Sequence, residues 1–371
     1  PYSIDNHYEY WMVASSFLAY GGVLQVIRAD DFNTQTGVGL KNAFVGTASS
    51  IRIKSDTHYN QLGYDDNTIT GVTVASKTPG TYANGIRVAI IDSKADQVLT
   101  VSGISTVGLG ITQSAAGRIV AGAAGTSVLD GYIKGIVTEV GTGTISVKTL
   151  AHVSTAGTVT NVNYQNGGVY NFATGNISAS AAGTNVGGTA VNVTAVTDWF
   201  ESQNIVLTQT DANGNPISLE WDQLADAPGT SSYAAARGGR FDEVHVVVID
   251  DKGTITGNAG TILEKHLSLS KAKDAEYSVG STAYWRKYLA TNSQYIYGGS
   301  SPAGITTSGF TGGTATAVGS LDADSGWDQD ASGVNFGLSG VVTASLAGGT
   351  NYGDKTDYTT TGALTSGVDD L

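Results

Sequence analysis

Six consecutive residues, Val244, His245, Val246, Val247, Val248 and Ile249, constrain this chain more than any other stretch. All but His245 are apolar and β-branched. A strand that alternates apolar and polar residues can leave one face in water, whereas a run like this one needs cover on both. Local chemistry around it sets further expectations. Pro228-Gly229 reads as a turn, Thr230 or Ser231 as a helix cap, and Tyr233 to Arg237 as a helix closed by Gly238-Gly239. After the strand, Asp250-Asp251-Lys252-Gly253 is expected to turn into a second strand, Thr254 to Thr256. Thr261 to Leu269 is strand-like with Glu264 and Lys265 interrupting it. Ser281 to Ala290 reads as a capped helix, and Tyr295 to Tyr297 as a last short strand.

The rest of the chain has to supply that cover, and its composition says with what. With 371 residues there is room for two or three domains with cores of their own. Fifty glycines, about twice the usual share, and only 14% charged residues favour short strands and tight turns over long helices. There is no cysteine, which excludes disulfides, thiolate catalysis and cysteine-based zinc sites. The net charge is −13 and the basic residues are scattered, so the basic patch needed to grip phosphates is missing and no nucleic-acid partner is expected. No run reaches the ~18 apolar residues that span a bilayer, and membrane insertion is not expected either. The chain starts at Pro1, without Met or a signal peptide, directly before a core-like helix, and reads as an internal piece of a longer polypeptide.

In chain order, Asn6 and Glu9 have capping-box spacing ahead of Tyr8 to Tyr20, a helix apolar on nearly every face that is expected to be core, with an exposed subunit contact as the alternative. Gly21-Gly22 ends it before a strand at Val23 to Ile27. Short strands are expected at Ser50 to Lys54 and Thr68 to Ala75, and a clear one at Gly85 to Asp92. Between Gln97 and Val196 the texture becomes all-β. Alternating pieces at Gly131 to Val140 and Thr144 to Lys148 suggest a small barrel or sandwich, with Gly/Ala-rich loops at Ala115 to Gly125 and Ser178 to Gly188. Thr197 to Glu201 restarts helix chemistry. Trp221 is expected as a strand aromatic against the sheet that holds Val244 to Ile249.

Several of these pieces carry a resemblance. APGTSSYAAARGG (227–239), DEVHVVVIDDKGTITG (242–257), ILEKHLSLSKAKDAE (262–276) and YLATNSQYIYGG (288–299) stand in the order found in contractile tail sheath proteins. The likeness is to the sheaths of T4-like bacteriophages, including those that infect cyanobacteria. YEYWMVASSFLAYGGVLQVIRAD (8–30) and GTYANGIRVAIIDSKADQ (80–97) are similar to the same family. The resemblance implies a β-rich α+β, multidomain chain with nested insertions. An incomplete α/β base (1–78 plus 300–371) carries a middle α+β domain (79–97 plus 197–299), itself interrupted by an all-β barrel or sandwich (98–196). The insert departs most from the family pattern.

No chemistry stands out beside this. His7, His58, His152, His245 and His266 are far apart and match no metal-binding spacing. No nucleophile elbow, phosphate loop or dinucleotide fingerprint is present. Asp65-Asp66 and Asp250-Asp251 sit beside turn residues and read as hairpin chemistry. Asp322, Asp324, Asp328 and Asp330 alternate around Gly326 as a partial calcium loop, and Asp211, Asn213 and Asn215 form a similar run. Neither has the register or closing Glu of an EF-hand, so a solvated acidic loop is the plainer reading. Asn176 and Asn192 stand in formal glycosylation sequons.

The function implied by the resemblance is structural, without catalysis or cofactor. It is that of a phage tail sheath subunit, assembled in the host bacterial cytoplasm into stacked hexameric rings of itself. Its other partners would be the tail tube, baseplate and tail terminator proteins. Contraction would drive the tube through the host envelope during entry and genome ejection. An extracellular bacterial adhesin or surface-layer β-domain is the alternative, since it too would be Gly/Thr-rich, acidic and free of cysteine. It would lack the helix–strand units at 8–27 and 233–249.

Overall fold

The computed structural model describes residues 8–24, 40–61, 71–122, 125–180, 189–272, 274–299 and 341–351. In chain order these form helix α1 (Tyr8–Ala19), β1 (Phe44–Gly46), α2 (Asp56–Gln61), β2 (Val72–Ser76) and β3 (Ile86–Asp92). The inserted region then runs through β4 (Gln97–Thr100), β5 (Gly110–Ser114), β6 (Ile119–Gly122), β7 (Gly125–Val128), β8 (Tyr132–Val140), β9 (Thr144–Val153), β10 (Val159–Asn161), β11 (Gly175–Ser180), β12 (Thr189–Val193) and β13 (Ala195–Asp198). The return path is β14 (Asn204–Thr210), β15 (Pro216–Glu220), α3 (Ser232–Ala235), β16 (Glu243–Asp250), β17 (Thr261–Ser270), β18 (Glu276–Ser278), β19 (Ser281–Thr282), α4 (Trp285–Asn292), β20 (Ile296–Gly298) and β21 (Val341–Ser345). The architecture is a β-rich α+β arrangement of several sheets.

The doubly apolar run is β16, inside an antiparallel sheet of order β17-β16-β3-β21. Its side chains divide with the strand period. Val244, Val246 and Val248 join Ile86, Val88 and Ile90 in a core closed by Trp285 and Leu289 of α4. Val247 and Ile249 face the other way with Ala89 and Ile91, onto Trp199, Phe200, Ile205, Leu207 and Trp221. Full burial of each such aliphatic side chain is worth about 1.5–3 kcal/mol, which accounts for a sheet covered on both sides. Trp221 packs against this sheet as expected, but from a short 3-10 turn, Trp221–Gln223, rather than a strand.

A second sheet, β1-β2-β20, shares the first core through Ala43, Val74 and Ile296. β20, from the stretch assigned to the middle domain, pairs with β2 of the base stretch. Likewise β21, C-terminal in the chain, pairs with β3. One core therefore runs beneath both stretches.

The insert is a curled sheet of order β12-β11-β5-β8-β9-β4-β13, with β10 added on β9. β12 and β13 lie at opposite ends of that order, yet Thr194 is the only residue between them. The sheet must bend round until its edges almost meet there, and the Thr194 amide donates to Thr100 O at 3.0 Å. Leu99, Ile111, Ile133, Val137, Ile145, Val147 and Ile177 fill the hollow. The Gly/Ala-rich stretch expected as a loop at 115–125 holds β6 and runs into β7, its hairpin partner, and β11 begins before the second such stretch and ends inside it.

Other departures have local causes. No strand forms at Thr254 to Thr256, because the Asp250 carboxylate accepts the amides of Thr254, Ile255 and Thr256 and curls the loop around itself. The helix expected from Ser281 starts at Trp285, since Ser281 and Thr282 pair with β18. Ile51 and Ile53 are buried without a regular strand, as the Asn42 side chain accepts the Ile53 amide in place of a ladder. Asp198 does cap, accepting the amides of Phe200 and Glu201, but only a single 3-10 turn follows before β14. α1 differs most from expectation. Val13 is 70% exposed, Met12, Phe17 and Leu18 are about half exposed, and among the described side chains, Met12 to Ala19, none of the helix joins a core. Val23 and Leu24 are described but form no strand, and residues 25–27 lie outside the described residues.

Candidate functional site

The chain enters the insert through Ser93–Asp96 and leaves it at Asp198–Gln203, and the two crossings are tied together. β4 and β13 pair from Thr100↔Ala195 to Gln97↔Asp198. Beyond them the Trp199 amide donates to Asp96 O at 3.0 Å. At this junction Asp96 and Lys148 form a buried ion pair at 2.5 Å, and Asp96 also accepts the Thr149 amide at 2.8 Å. Burial pulls the Lys148 ammonium below its ordinary range, while the Asp96 carboxylate opposes the shift.

A loop from the other side locks the same contact. Arg240 donates to the carbonyl oxygens of Leu150 and Val162, and to Asn163 Oδ1 at 3.0 Å. Burial lowers its pKa to about 10, against the pull of Asp96, so it stays charged at neutral pH. Phe241 lies at φ +64°, a region that non-glycine residues rarely adopt. Its surroundings hold it there. The amide donates to Thr230 Oγ1, the ring packs on Ile136, Leu150 and Ala151, and Lys148 and Arg240 stand 4.3 and 4.5 Å from the ring centroid. Cations held this close to a desolvated ring contribute to the packing.

Beside this lock is a cleft of about 360 Å³. One wall comes from the insert (Tyr164, Gln165, Asn166), another from the crossings (Ser93, Ala95, Asp198–Glu201), and a third from Asp222 and Ala225–Pro228. Asp198 accepts from the Tyr164 hydroxyl, which raises the phenol pKa together with burial, the larger cause. Glu201 accepts from Asn166 Nδ2. Asp198 and Glu201 are thus committed to hydrogen bonds within the chain; Glu201, Asp222 and Asp226 are all exposed.

The other residues singled out in the sequence are scattered. Ser268 N–H donates to His245 Nδ1, which leaves Nε2 to carry the proton and donate to Asp226 O at 2.9 Å. His245 is therefore a buried strut between β17 and the 226–230 loop. His266 pairs with Glu264 at 2.9 Å, His152 bonds Asp130 O, and His58 Nδ1 accepts the Lys54 amide. Asp250 and Asp251 are buried and saturated by loop amides, by Thr208 and by Arg87. Asp211 accepts the amides of Asn213 and Asn215 and so closes its own turn. Asn176 and Asn192 are cross-strand partners on β11 and β12. His7, Asp65, Asp66 and the run Asp322, Asp324, Asp328 and Asp330 lie outside the described residues. Among the described residues no three His, Asp or Glu side chains are placed to hold a metal ion. No described helix is long and apolar enough to cross a membrane.

Sequence reasoning missed Asp96, Lys148, Arg240 and Phe241. The available signal was a lone Lys148 inside the apolar run Ile145 to Ala151, since a lysine there needs a buried partner. Comparison of the chain with protein families, with curated proteins and with solved structures finds no match.

Proposed function

We propose that this chain is a structural subunit of a contractile phage tail sheath, with no catalytic role and no cofactor. It would stack as hexameric rings around the tail tube, between baseplate and tail terminator proteins, in the virion after assembly in the host cytoplasm. The observation that carries the reading is where the family-like blocks fall in space. The block at 80–97 supplies β3, the block at 242–257 supplies β16 and the block at 262–276 supplies β17. These three strands are consecutive neighbours in one sheet, and the block at 288–299 supplies the end of α4 and β20 packed against it. Sequence stretches scattered over two hundred residues thus converge on a single core, as parts of one inherited unit would.

Two further features agree with it. α1 is apolar on nearly every face, and its described side chains from Met12 onward are largely uncovered, which suits a segment that contacts another body. The insert leaves the base through paired ends, the geometry that lets an added domain ride on an older one. The adhesin alternative gains nothing from the layout, because a helix-flanked sheet at its centre is unlike a plain β-sandwich. The test is co-expression of the protein with its tube protein, followed by negative-stain electron microscopy. Striated tubes are the expected result. Soluble protein without tubes, together with binding to bacterial or host cell surfaces, would overturn the reading. The 371-residue chain alone is expected to run as a monomer at micromolar concentration on a sizing column.

A further inference from the structure

We propose that Asn166 is a site of spontaneous self-modification, at which the chain turns a side-chain amide into a carboxylate and so loosens its own junction. The inference does not depend on the sheath reading. Asparagine followed by glycine is the pair most open to this chemistry, because glycine has no side chain to shield its amide nitrogen and its backbone turns freely. The chain has three such pairs, Asn84-Gly85, Asn166-Gly167 and Asn213-Gly214. In the reaction the glycine amide gives its proton to solvent hydroxide, and its nitrogen attacks the asparagine Cγ. The Cγ–Nδ2 bond breaks, and Nδ2 takes a proton from water and leaves as ammonia, which restores the hydroxide. The cyclic imide left behind is opened by water at either carbonyl, to aspartate or isoaspartate. Nothing is oxidised or reduced.

The structure separates the three pairs. Asn84 is clamped, since its Nδ2 donates to Gly349 O at 2.9 Å, its Oδ1 accepts the Gly349 amide at 2.8 Å, and Gly85 is buried. At Asn213 the attacking nitrogen is tied down, because the Gly214 amide donates to Asp211 O at 3.0 Å. Asn166 differs from both. Its turn is closed by the Gly168 amide on Gln165 O at 2.7 Å, which leaves the Gly167 amide with no backbone acceptor among the described residues. Asn166 and Gly167 are both exposed, and Gly167 lies at φ +71°. The consequence follows from what Asn166 holds. Tyr164 to Asp198 and Asn166 to Glu201 are two ties from the insert to the returning crossing, the second at 3.0 Å. Conversion replaces the Nδ2 donor by a carboxylate oxygen facing Glu201, so a hydrogen bond becomes a contact between like charges.

The test is to age the purified, folded chain in mildly alkaline buffer and follow each pair by peptide mass mapping, with the free peptide YQNGG (164–168) as the clock. Asn166 is expected to convert on the time scale of the free peptide, with ammonia released in step. Asn213 should convert roughly fivefold or more slowly, the factor set by one hydrogen bond that must first open, and Asn84 should stay intact. Asn166→Asp, which installs the product directly, should speed amide exchange at 163–168 and 199–203 by roughly fivefold or more. Salt should reduce that gain, since it screens the repulsion. The proposal is overturned if Asn166 is intact when the free peptide has fully converted, or if Asn213 converts as fast. It is equally overturned if both the aged chain and Asn166→Asp exchange at the junction like the unaltered protein.

Discussion

Replacing Asp96 by Asn is the sharpest perturbation of the junction. Lys148 and Asp96 are about 5% and 6% exposed and 2.5 Å apart. Asn is nearly isosteric and can still accept the Thr149 amide, so the substitution removes charge and little else. What remains is an ammonium in the interior without a counter-ion. Breaking one partner of a buried pair costs about 3–5 kcal/mol, a large share of the ~5–15 kcal/mol that holds a typical fold. At roughly 2–4 °C per kcal/mol for a domain of 150–250 residues, the transition should fall by about 6–20 °C in scanning calorimetry. Lys148→Met alone strands the carboxylate and should cost a comparable amount. The double variant Asp96→Asn/Lys148→Met should recover most of the loss, because an apolar replacement for a buried pair is often neutral. If Asp96→Asn costs less than about 1 kcal/mol, or the double variant is as unstable as the sum of its parents, the buried-pair reasoning is wrong.

Three more outcomes are expected. Burial pushes the Asp250 carboxyl up, but the amides of Thr256, Ile255 and Thr254 and the Thr256 hydroxyl outweigh it and hold the group below the ordinary carboxylate range. Its contribution is therefore complete above about pH 4–5 and is lost as pH falls through the lower folded value, so Asp250→Asn should flatten the drop in melting temperature between about pH 5 and pH 3. An equal drop in both proteins would refute this. Gly131 and Gly143 both have positive φ, but a Cβ on Gly131 would lie 1.9 Å from Val153 O while one on Gly143 meets nothing within 4 Å. Gly143→Ala should then cost only the ~1–2 kcal/mol of the backbone conformation and Gly131→Ala clearly more, measured by urea unfolding. Finally, residues 93–203 have their own core, paired ends and the Asp96–Lys148 pair, so that fragment should fold alone; a random-coil amide spectrum would contradict this.

How much of this was legible in the sequence depended on whether a signal was local. Val244 to Ile249 announced its buried strand because every position but His245 had the same requirement. The cap at Ser231 could be read from its type and position, and its side chain does accept the Ala234 amide. By contrast, β21 has five residues, Val341 to Ser345, that are half-buried and unremarkable in composition. It becomes a strand only because β3 presents an open edge. Thr254 to Thr256 look like a strand by propensity, and a single carboxylate four residues earlier outcompetes the ladder. α1 was read as core because its composition requires cover, and composition cannot say which body supplies it. The cleft was illegible for a similar reason. Its walls come from five separate segments, and the closing of β4 on β13 helps to bring them together.

The same junction limits how this molecule can move. A hinged insert needs two free linkers, and both crossings here emerge from a hydrogen-bonded pair of strands and are tied once more by the Trp199 amide to Asp96 O. Swinging the insert would also break the bonds from Arg240 to Leu150 O, Val162 O and Asn163, separate Lys148 from Asp96, and pull Phe241 out of its contact with Ile136 and Leu150. Hydrogen bonds to a charged group contribute about 1.5–3 kcal/mol each, so the Arg240 bonds alone outweigh the few kcal/mol of a weak, exchangeable lateral contact. When force is applied to such a body, its outer contacts yield first. In the contracting array proposed above, neighbours would change across the surfaces between copies, while insert and base travelled together as one rigid piece.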